Sequence, residues 1–361
     1  MNLDALGARK MLEGLDLEKV HSLDFSEIGT VSFEALRVLL IARNNGLKIN
    51  VINACDSVAS MFEEAGISGR FCVCRAPGSV DISRFTKSGE SPMSTTYLSD
   101  DGDKVLKLYS RMVTGPDLIE REKRMSMCAL QLGIPTPMPG RIVSVGNQRG
   151  LIFEYVHNKK SFSRLIADDQ EHYEVYAKRF ALMTRKLHST ECNTAVFGSI
   201  SENYSGFVKD CPAYSDTEKK KYLDFIDSIP ACTTCIHGDL HPGNLVTSGE
   251  DDMWIDMGDF SYGNPWFDLG QFYMISHLTS DEMARENHHF SKDLMLKVWD
   301  VFVHEYFGVS DESEIKTIEA RSGAMAALGL IKFAFRALPK EHFPVVKQTV
   351  EALFSGYGWK F

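Results

Sequence analysis

The chain carries the sequence CIHGDLHPGNL at positions 235–245, and the sequence MWIDMG follows at positions 253–258 after an acidic turn. Each stretch contains a short apolar run, which predicts two buried strands that end in polar side chains. The first stretch offers a His, an Asp two residues later and an Asn five residues after that, and the second offers another Asp. The alternatives are a polar turn between two buried strands and a reactive site.

The spacing of these polar residues suits phosphoryl transfer from a nucleotide. That reaction uses one carboxylate to orient the acceptor hydroxyl and take its proton, and it uses an amide oxygen and a second carboxylate to hold the metal that bridges the phosphates. Hard oxygen ligands suit Mg²⁺, which takes one or two carboxylates together with substrate oxygens. The second carboxylate, Asp256, stands twelve residues after Asn244. The complete set therefore favours a reactive site over a polar turn.

The motif H-G-D-L-H-P-G-N-L, followed by I-D-M-G, closely resembles the aminoglycoside phosphotransferase and choline kinase family. Its spacing also resembles the catalytic loop and the D-F-G motif of protein kinases. The resemblance implies that Asp239 is the catalytic base and that Asn244 and Asp256 are Mg²⁺ ligands. It makes His237 a scaffold residue that braces the loop. It also implies ATP or GTP as co-substrate and a small-molecule acceptor with a hydroxyl group.

A second motif, N-P-W-F-D-L-G at positions 264–270, resembles the D-P-x-x-D-L-A segment of the same family. The second Asp of that segment, here Asp268, braces the catalytic loop in the family and does not react. We therefore expect Asp268 to support the site structurally.

The composition limits the classes of protein to be considered. The chain has 361 residues and a net charge of −10, which argues against a nucleic-acid-binding surface because such a surface would be basic. Residues 1–10 lack the basic start and apolar core of a signal peptide, and no apolar run is long enough to span a bilayer. We therefore expect a cytoplasmic protein with no nucleic-acid partner and no membrane partner.

The eight cysteines and a His pair could suggest metal binding. Cys232 and Cys235 form a C-x-x-C, but no second C-x-x-C or H-x-x-x-H stands at the spacing of a zinc site. We interpret the cysteines as reduced structural thiols. His288 and His289 are interpreted as part of a polar helix surface.

Residues 1–78 alternate predicted strands and helices, which favours βαβ units and a small parallel sheet. One of these helices is predicted to begin after Ser32, its N-cap. Their order resembles a STAS domain, the fold of anti-sigma-factor antagonists, with the opening strands of that family missing. The phospho-acceptor turn of the family aligns with Ser32–Ala35, so Glu34 stands at the phosphorylated serine position. The segment is interpreted either as a module for a protein partner or for self-association, or as a packing extension of the remaining chain.

Residues 79–156 are predicted to form a β-rich lobe, which follows a boundary at Ala76–Ser79. A loop of small residues at Ser88–Thr95 stands where a phosphate-covering loop is expected. The last predicted strand ends in the hinge, where backbone groups near Glu154 and Val156 would pair with the nucleobase. The choice between ATP and GTP stays open.

Two residues of this lobe correspond to the ion pair that holds the phosphates in kinase-like enzymes. The resemblance assigns the lysine to Lys107, with Lys104 as the alternative. It assigns the partner carboxylate to Glu122 on a helix over 117–132, with Glu120 as the alternative on a different face.

Residues 157–361 are predicted to be mainly helical, with one long apolar face over 173–187 and a single helix over 281–307. The family builds its acceptor pocket between the catalytic loop and the C-terminal helices. Acidic side chains there, such as Asp281, Glu282 and Glu286, could meet a cationic acceptor. His188 is interpreted as a structural residue.

The expected fold class is α/β followed by α+β: a small STAS-like parallel βαβ domain, then a bilobal protein-kinase-like fold. The expected domains are 1–78, 79–156 and 157–361. The expected function is transfer of the γ-phosphoryl group of ATP or GTP to a hydroxyl of a small molecule. The alternative is a regulatory nucleotide-binding protein, or a protein kinase, whose STAS-like domain recruits a partner.

Overall fold

A computed structural model describes residues 1–75, 78–91, 93–110, 116–249, 251–337 and 340–358. The chain forms two compact units. The N-terminal unit contains residues 1–121 and 139–155, and the C-terminal unit contains residues 122–138 and 156–361. The division into a separate 1–78 domain stays a prediction.

The first 75 residues form two small parallel sheets and three helices. The sheets pair β1 with β3, and β2 with β4 and β4 with β5. The bounds are β1 (Asn2–Leu3), α1 (Ala5–Leu12), β2 (Val20–Asp24), β3 (Thr30–Val31), α2 (Phe33–Asn44), β4 (Lys48–Ala54), α3 (Asp56–Glu64) and β5 (Cys72–Arg75). The alternating pattern was therefore a good guide to these elements. The short strands β1 and β3 were not predicted, and the resemblance to a STAS domain stays a prediction.

Local caps and aromatic packing explain why this segment folds. Ser32 caps α2 by accepting a hydrogen bond from the Ala35 amide at 3.1 Å, which confirms the predicted helix start. Phe62 packs edge-on against Phe25 and Phe71, with ring centroids 6.3 Å and 5.3 Å away. These rings form the centre of a hydrophobic core that belongs to this segment.

The remaining strands of the N-terminal unit form one six-stranded sheet in the order β6-β10-β11-β9-β8-β7. All neighbours are antiparallel except β6 and β10. The bounds are β6 (Gly78–Ser79), β7 (Phe85–Glu90), β8 (Ser94–Ser99), β9 (Lys104–Tyr109), β10 (Pro139–Val145) and β11 (Gln148–Glu154). The predicted small-residue loop spans the β7–β8 turn. Three residues of these predictions lie outside the described ranges: Ala76 and Pro77 of the boundary, and Pro92 of the loop.

Helices dominate the C-terminal unit. The bounds are α4 (Pro116–Gln131, which starts in the N-terminal unit), β12 (Lys160–Ser161), α5 (Phe162–Asp168), α6 (Tyr173–His188), α7 (Ile200–Asp210), α8 (Asp216–Ser228), β13 (Cys235–Ile236), β14 (Leu245–Thr247), β15 (Asp252–Trp254), β16 (Ser261–Tyr262), α9 (Trp266–Tyr273), α10 (Asp281–His288), α11 (Lys292–Phe307), α12 (Glu312–Ala337) and α13 (Phe343–Gly356). A π-helical turn, Met274–Leu278, extends α9. The strands form two small antiparallel sheets, β12-β14-β15 and β13-β16.

One helix prediction in this unit was wrong. The sequence suggested a single helix over 281–307, but α10 ends at His288 and α11 begins at Lys292. His289 adopts a left-handed conformation with φ 70°, which stops α10. Ser291 then caps α11 by accepting from the Leu294 amide at 3.2 Å. Local caps therefore override the continuous helical pattern.

The core of the C-terminal unit surrounds Phe180 of α6. Its ring centroid lies 5.3 Å from that of Phe272 on α9 and 5.2 Å from that of Phe302 on α11. Trp254 of β15 lies 6.1 Å away and is almost fully buried. This core joins the helices to the strands that carry the polar motif. Within the described ranges, no helix has the length and apolar character needed to cross a membrane.

Helix α9 lies very close to α12 because Gly270 has no side chain. A Cβ at Gly270 would lie 2.5 Å from Cβ of Met325, a contact that well-packed proteins do not tolerate. We therefore expect Gly270→Ala to lower the free energy of unfolding by about 1–3 kcal/mol through overpacking. Denaturant unfolding followed by circular dichroism measures the change.

Gly206 of α7 provides the matched control. It is also helical, but a Cβ there would meet nothing within 4 Å. Gly206→Ala should leave stability unchanged or raise it by about 0.5–1 kcal/mol, because alanine has less chain entropy to lose. Equal effects of the two substitutions would contradict close packing at Gly270.

Candidate functional site

The polar motif folds as a tight loop after β13. Gly238 adopts φ 83°, a left-handed conformation that side chains rarely accept. A Cβ at Gly238 would also overlap the backbone carbonyl of Asp259. Only glycine therefore lets the loop turn this closely against the segment that follows β15.

Asp268, at the start of α9, holds the backbone of this loop. Its two carboxylate oxygens accept hydrogen bonds from the amides of His237 (2.7 Å) and Gly238 (2.8 Å). His188 donates from Nε2 to the same carboxylate at 3.0 Å and accepts from the Tyr306 hydroxyl at Nδ1 (2.7 Å). Asp268 has no exposed surface, and this network supplies the partners that a buried carboxylate needs. The structure thus places Asp268 directly beneath the predicted catalytic loop.

His237 connects the loop to the next segment. Its Nε2 donates to the carbonyl of Ile255 at 3.0 Å, and its Nδ1 accepts from the amide of Asp239 at 3.3 Å. The ring is fully buried, and its centroid lies 5.2 Å from that of Trp254. Both ring nitrogens are used within the protein, so His237 occupies a scaffold position.

Asp239 projects from the loop with each of its carboxylate oxygens bound by an amide. Gln271 donates to Oδ1 at 2.9 Å, and Asn244 donates to Oδ2 at 3.1 Å. The Asn244 amide also donates to the backbone carbonyl of Asp239 at 2.9 Å. The Asp239 side chain is 39% exposed, so one edge of it can meet a substrate.

The surroundings of Asp239 favour its ionised form, because the pKa of this carboxyl lies well below its ordinary range. Burial is the largest influence and by itself would raise the pKa, but the Asp239 side chain is only partly buried. The imidazole of His241, whose Nε2 lies 3.7 Å from Oδ2, lowers the pKa most, and His237 and Lys332 act in the same direction. An ionised Asp239 can accept a proton from a hydroxyl group.

Asn244 and Asp256 are brought towards each other by the backbone. The amide of Ile255 donates to the carbonyl of Asn244 at 2.9 Å, so the residue before Asp256 is fixed to Asn244. Asp256 adopts a left-handed conformation (φ 62°, ψ 53°), which is uncommon for a residue with a side chain and concentrates at functional sites. The Asn244 nitrogen makes both hydrogen bonds to Asp239, so its oxygen is the atom suited to a cation. An amide oxygen and a carboxylate are a donor set that fits Mg²⁺.

The C-x-x-C pair does not form a metal site in the described ranges, where no cluster of three His, Cys, Asp or Glu side chains could hold an ion. Cys235 is buried beside Cys192, not beside Cys232, and the Cys192 thiol raises the pKa of Cys235. Cys232 instead meets the amide of Asn264 at 3.5 Å. Six cysteines of the described residues carry free thiols, Cys55, Cys128, Cys192, Cys211, Cys232 and Cys235, and their structural role stays a prediction.

The interpretation of His288 as a polar surface residue was wrong. Its ring is buried against that of His241, with the centroids 5.1 Å apart, whereas His289 is exposed. Burial lowers the pKa of His288 to about 3; nearby His241 acts in the same direction, and Asp239 opposes it. Of the two adjacent histidines at the end of α10, only His288 turns inward. The sequence alone does not indicate which of the two identical residues is buried.

Sequence analysis also missed Gln271, Lys332 and His241. Gln271 follows Asp268 by three residues and so lies on the same helical face, a signal that could have identified it. Lys332 of α12 forms an ion pair with Asp259 at 2.8 Å and is only 12% exposed. His241 accepts from the Gly243 amide at Nδ1, so its Nε2 carries the hydrogen towards Asp239.

The acidic residues predicted to meet an acceptor lie on the exposed side of α10. Asp281, Glu282 and Glu286 are all exposed. Asp281 is also paired with Arg285 at 2.7 Å. The structure therefore gives no support to an acidic enclosure formed by these three residues.

In the N-terminal unit, Lys107 and Lys104 lie on opposite faces of β9. Lys107 shares its face with Tyr109, and its Nζ lies 5.4 Å from the Tyr109 ring centroid. Lys104 lies on the other face and is paired with Asp101 at 2.7 Å. On the side of β9 that carries Lys107, Tyr109 belongs to a hydrophobic cluster with Ile119 of α4. The predicted partner carboxylate, Glu122, is a residue of the same helix.

The two candidate carboxylates of α4 belong to different units. Glu120 lies 3.5 Å from Arg149 in the N-terminal unit. Glu122 is 5% exposed in the C-terminal unit, and its carboxylate approaches Gly258 of the Asp256–Gly258 turn. The pairing of Glu122 with Lys107 stays a prediction.

Glu154 and Val156 stand where the two units divide along the chain. Glu154 is the last residue of β11 and is exposed. Val156 is 8% exposed and is the first residue of the second C-terminal segment. Their contact with a nucleobase stays a prediction.

Residues 87–297 match the family model described as "Phosphotransferase enzyme family" (APH), which covers more than half of the chain. The methylthioribose kinase of Geobacillus kaustophilus (strain HTA426) is 29% identical over 110 residues, which are 30% of this chain and 26% of that enzyme. The chain thus matches about a quarter of the length of this curated relative.

The solved structures include a thermostable mutant of aminoglycoside phosphotransferase APH(4)-Ia in a ternary complex with ADP and hygromycin B. It is 10% identical, with a TM-score of 0.51, over 76% of this chain and 94% of that chain. The Plasmodium vivax ethanolamine kinase is 14% identical, with a TM-score of 0.45, over 75% of this chain and 82% of that chain. At these identities the first match shows the fold alone. The fold is protein-kinase-like, with a β-rich region followed by a helical C-terminal part.

Proposed function

The chain belongs to the phosphotransferase enzyme family, and we propose that it transfers the γ-phosphoryl group of ATP or GTP to a hydroxyl group of a small molecule. The observation that carries the proposal is the Asp239 carboxylate. It is partly exposed and oriented by amides on both oxygens, on a loop whose backbone is fixed by Asp268. A proton acceptor in this position is what phosphoryl transfer to an alcohol requires.

In the proposed reaction, Asp239 takes the proton of the acceptor hydroxyl as its oxygen attacks the γ-phosphorus. The new oxygen–phosphorus bond forms, the bond to the β-phosphate oxygen breaks, and the nucleoside diphosphate leaves. Asn244 and Asp256 would hold Mg²⁺, which when bound neutralises the charge that develops on the phosphates. Catalysis then rests mainly on positioning and on charge stabilisation.

The charges near Asp239 bear on the class of acceptor. Lys332 is close enough to lower the pKa of Asp239 through its charge, and it is paired with Asp259. The predicted acidic residues of α10 lie exposed on its outer side. Neutral sugars and cationic aminoglycosides are therefore both tested as acceptors.

Replacement of the base and of a metal ligand should have different effects. Asp239→Ala should lower the transfer rate by about 10²–10⁴-fold, because the proton acceptor is lost, and it should leave nucleotide affinity unchanged. Asp256→Ala should instead abolish the Mg²⁺-dependent part of nucleotide binding. The measurements are mass spectrometry of a metabolite extract incubated with MgATP or MgGTP, and calorimetric nucleotide titrations with and without Mg²⁺.

The extract is supplemented in separate arms with neutral sugars and with aminoglycosides. A phosphorylated product made by the wild type and not by Asp239→Ala identifies the acceptor class. Turnover by Asp239→Ala at the wild-type rate would contradict the assignment of the base.

Lys107 is proposed to contact the nucleotide phosphates, with Glu122 as its partner and the backbone near Glu154 and Val156 as the nucleobase contact. Lys107→Met should therefore weaken nucleotide binding about tenfold or more, because a charge-assisted contact is lost. Lys104→Met removes the same charge from the opposite face of β9 and serves as the control. If the two variants bind MgATP with equal affinity in calorimetric titrations, the phosphate contact of Lys107 is contradicted.

We also propose that residues 1–75 form a STAS-like module that mediates self-association. Support comes from the parallel β2-β4-β5 sheet and from one exposed side of α2, where Phe33 and Ile41 are 73% and 53% exposed. Light scattering should then report a dimer of the full chain that dissociates in Phe33→Asp, since a charge would enter the apolar contact. A monomer at all concentrations would contradict self-association and favour a different protein partner.

A further inference from the structure

Helix α9 presents two polar side chains to the loop from one face. Asp268 binds the loop backbone, and Gln271, three residues later, reaches the side chain of Asp239 with its Nε2 2.9 Å from Oδ1. Residues three apart in a helix lie on the same side, so both groups move as one rigid body with the helix. The contact from Gln271 therefore shares the anchoring of the loop itself.

The side chain of Gln271 is confined by α12. A Cβ at Gly329 would lie 3.7 Å from Oε1 of Gln271 and 3.3 Å from the sulfur of Met274. Gly270, next to Gln271, brings α9 against Met325 of the same helix. The amide is thus half-buried between two tightly packed helices, which limits its rotamers.

The two amides on Asp239 act from opposite ends of the carboxylate. Asn244 belongs to the same loop as Asp239 and binds Oδ2, whereas Gln271 belongs to a helix outside the loop and binds Oδ1. A carboxylate held at one oxygen can still rotate about its Cβ–Cγ bond, but one held at both oxygens has a fixed plane. His241 lies on the Oδ2 side, with its Nε2 3.7 Å from that oxygen, and His237 contacts the backbone amide of Asp239.

We propose that Gln271 is a positioning residue that fixes the plane of the Asp239 carboxylate towards the acceptor hydroxyl. This inference rests on the proposed function, in which Asp239 is the base. Gln271 acts through Asp239 and has no part in holding the nucleotide. Its loss should therefore lower the turnover number while leaving the KM for nucleotide unchanged.

The test replaces Gln271 in two ways. Gln271→Met keeps the length of the side chain and removes the donor, and it should lower kcat about 10- to 100-fold, the range expected for one hydrogen bond to a charged group. Gln271→Glu keeps the shape, replaces the donor with a second carboxylate beside Asp239, and should lower kcat at least as far. The readout is ADP release in a metabolite extract of fixed concentration, with MgATP varied to give kcat and KM.

Two further variants and a stability measurement make the result decisive. Gln170→Met changes an exposed glutamine of the same unit and should keep wild-type kcat. Asp239→Ala reports whether the base assignment holds. Thermal unfolding of every variant reports whether the fold is intact.

The outcomes distinguish failure of the proposed function from failure of the positioning role of Gln271. If the wild type releases neither ADP from MgATP nor GDP from MgGTP above background, or Asp239→Ala keeps its rate, the proposed function fails independently of Gln271. If Asp239→Ala is inactive but Gln271→Met keeps kcat within about twofold of wild type, the positioning role is overturned. It is also overturned if Gln271→Met raises the KM for MgATP as much as it lowers kcat, or unfolds at a clearly lower temperature, since the residue would then be structural.

Discussion

The buried carboxylate of Asp268 is the constraint on which the site depends. It accepts two consecutive backbone amides of the loop and a hydrogen bond from His188, and it has no contact with solvent. A buried charge without partners is very costly, so the loop, α6 and α9 must come together for the unit to be stable. The conformation of the loop is therefore part of the folding of the helices and not a property of its eleven residues.

Glycine makes this arrangement possible at two close approaches. Gly238 lets the loop turn against Asp259, and Gly270 lets α9 lie against α12. The rest of the site follows from those contacts, because α9 then carries both the anchor of the loop and an amide that reaches Asp239. The polar side chains of the site belong to the loop and to α9, and the position of α9 determines how they meet.

The sequence predicted the elements well where the signal is local. Ser32 marked the start of α2, and the spacing of His237, Asp239 and Asn244 marked the loop. It could not predict tertiary contacts between distant residues, such as the inward turn of His288 or the ion pair of Lys332 with Asp259. It also merged α10 with α11, because the pattern of apolar residues continues through a break set by His289 and Ser291. The functional roles of all the site residues stay predictions: Asp239, Asn244, Asp256, Lys107, Glu122, Glu154, Val156, His237 and Asp268.

The dependence of the loop on α9 and α12 has a consequence for biosynthesis. The loop ends at residue 245, but α9 follows it in the chain and α12 ends only at Ala337. While the chain emerges from the ribosome, the loop segment is exposed before the helices that shape it exist. The site can then form only after most of the chain has been made. A truncation that removes α12 would leave every residue of the loop in place and remove the helix against which α9 packs.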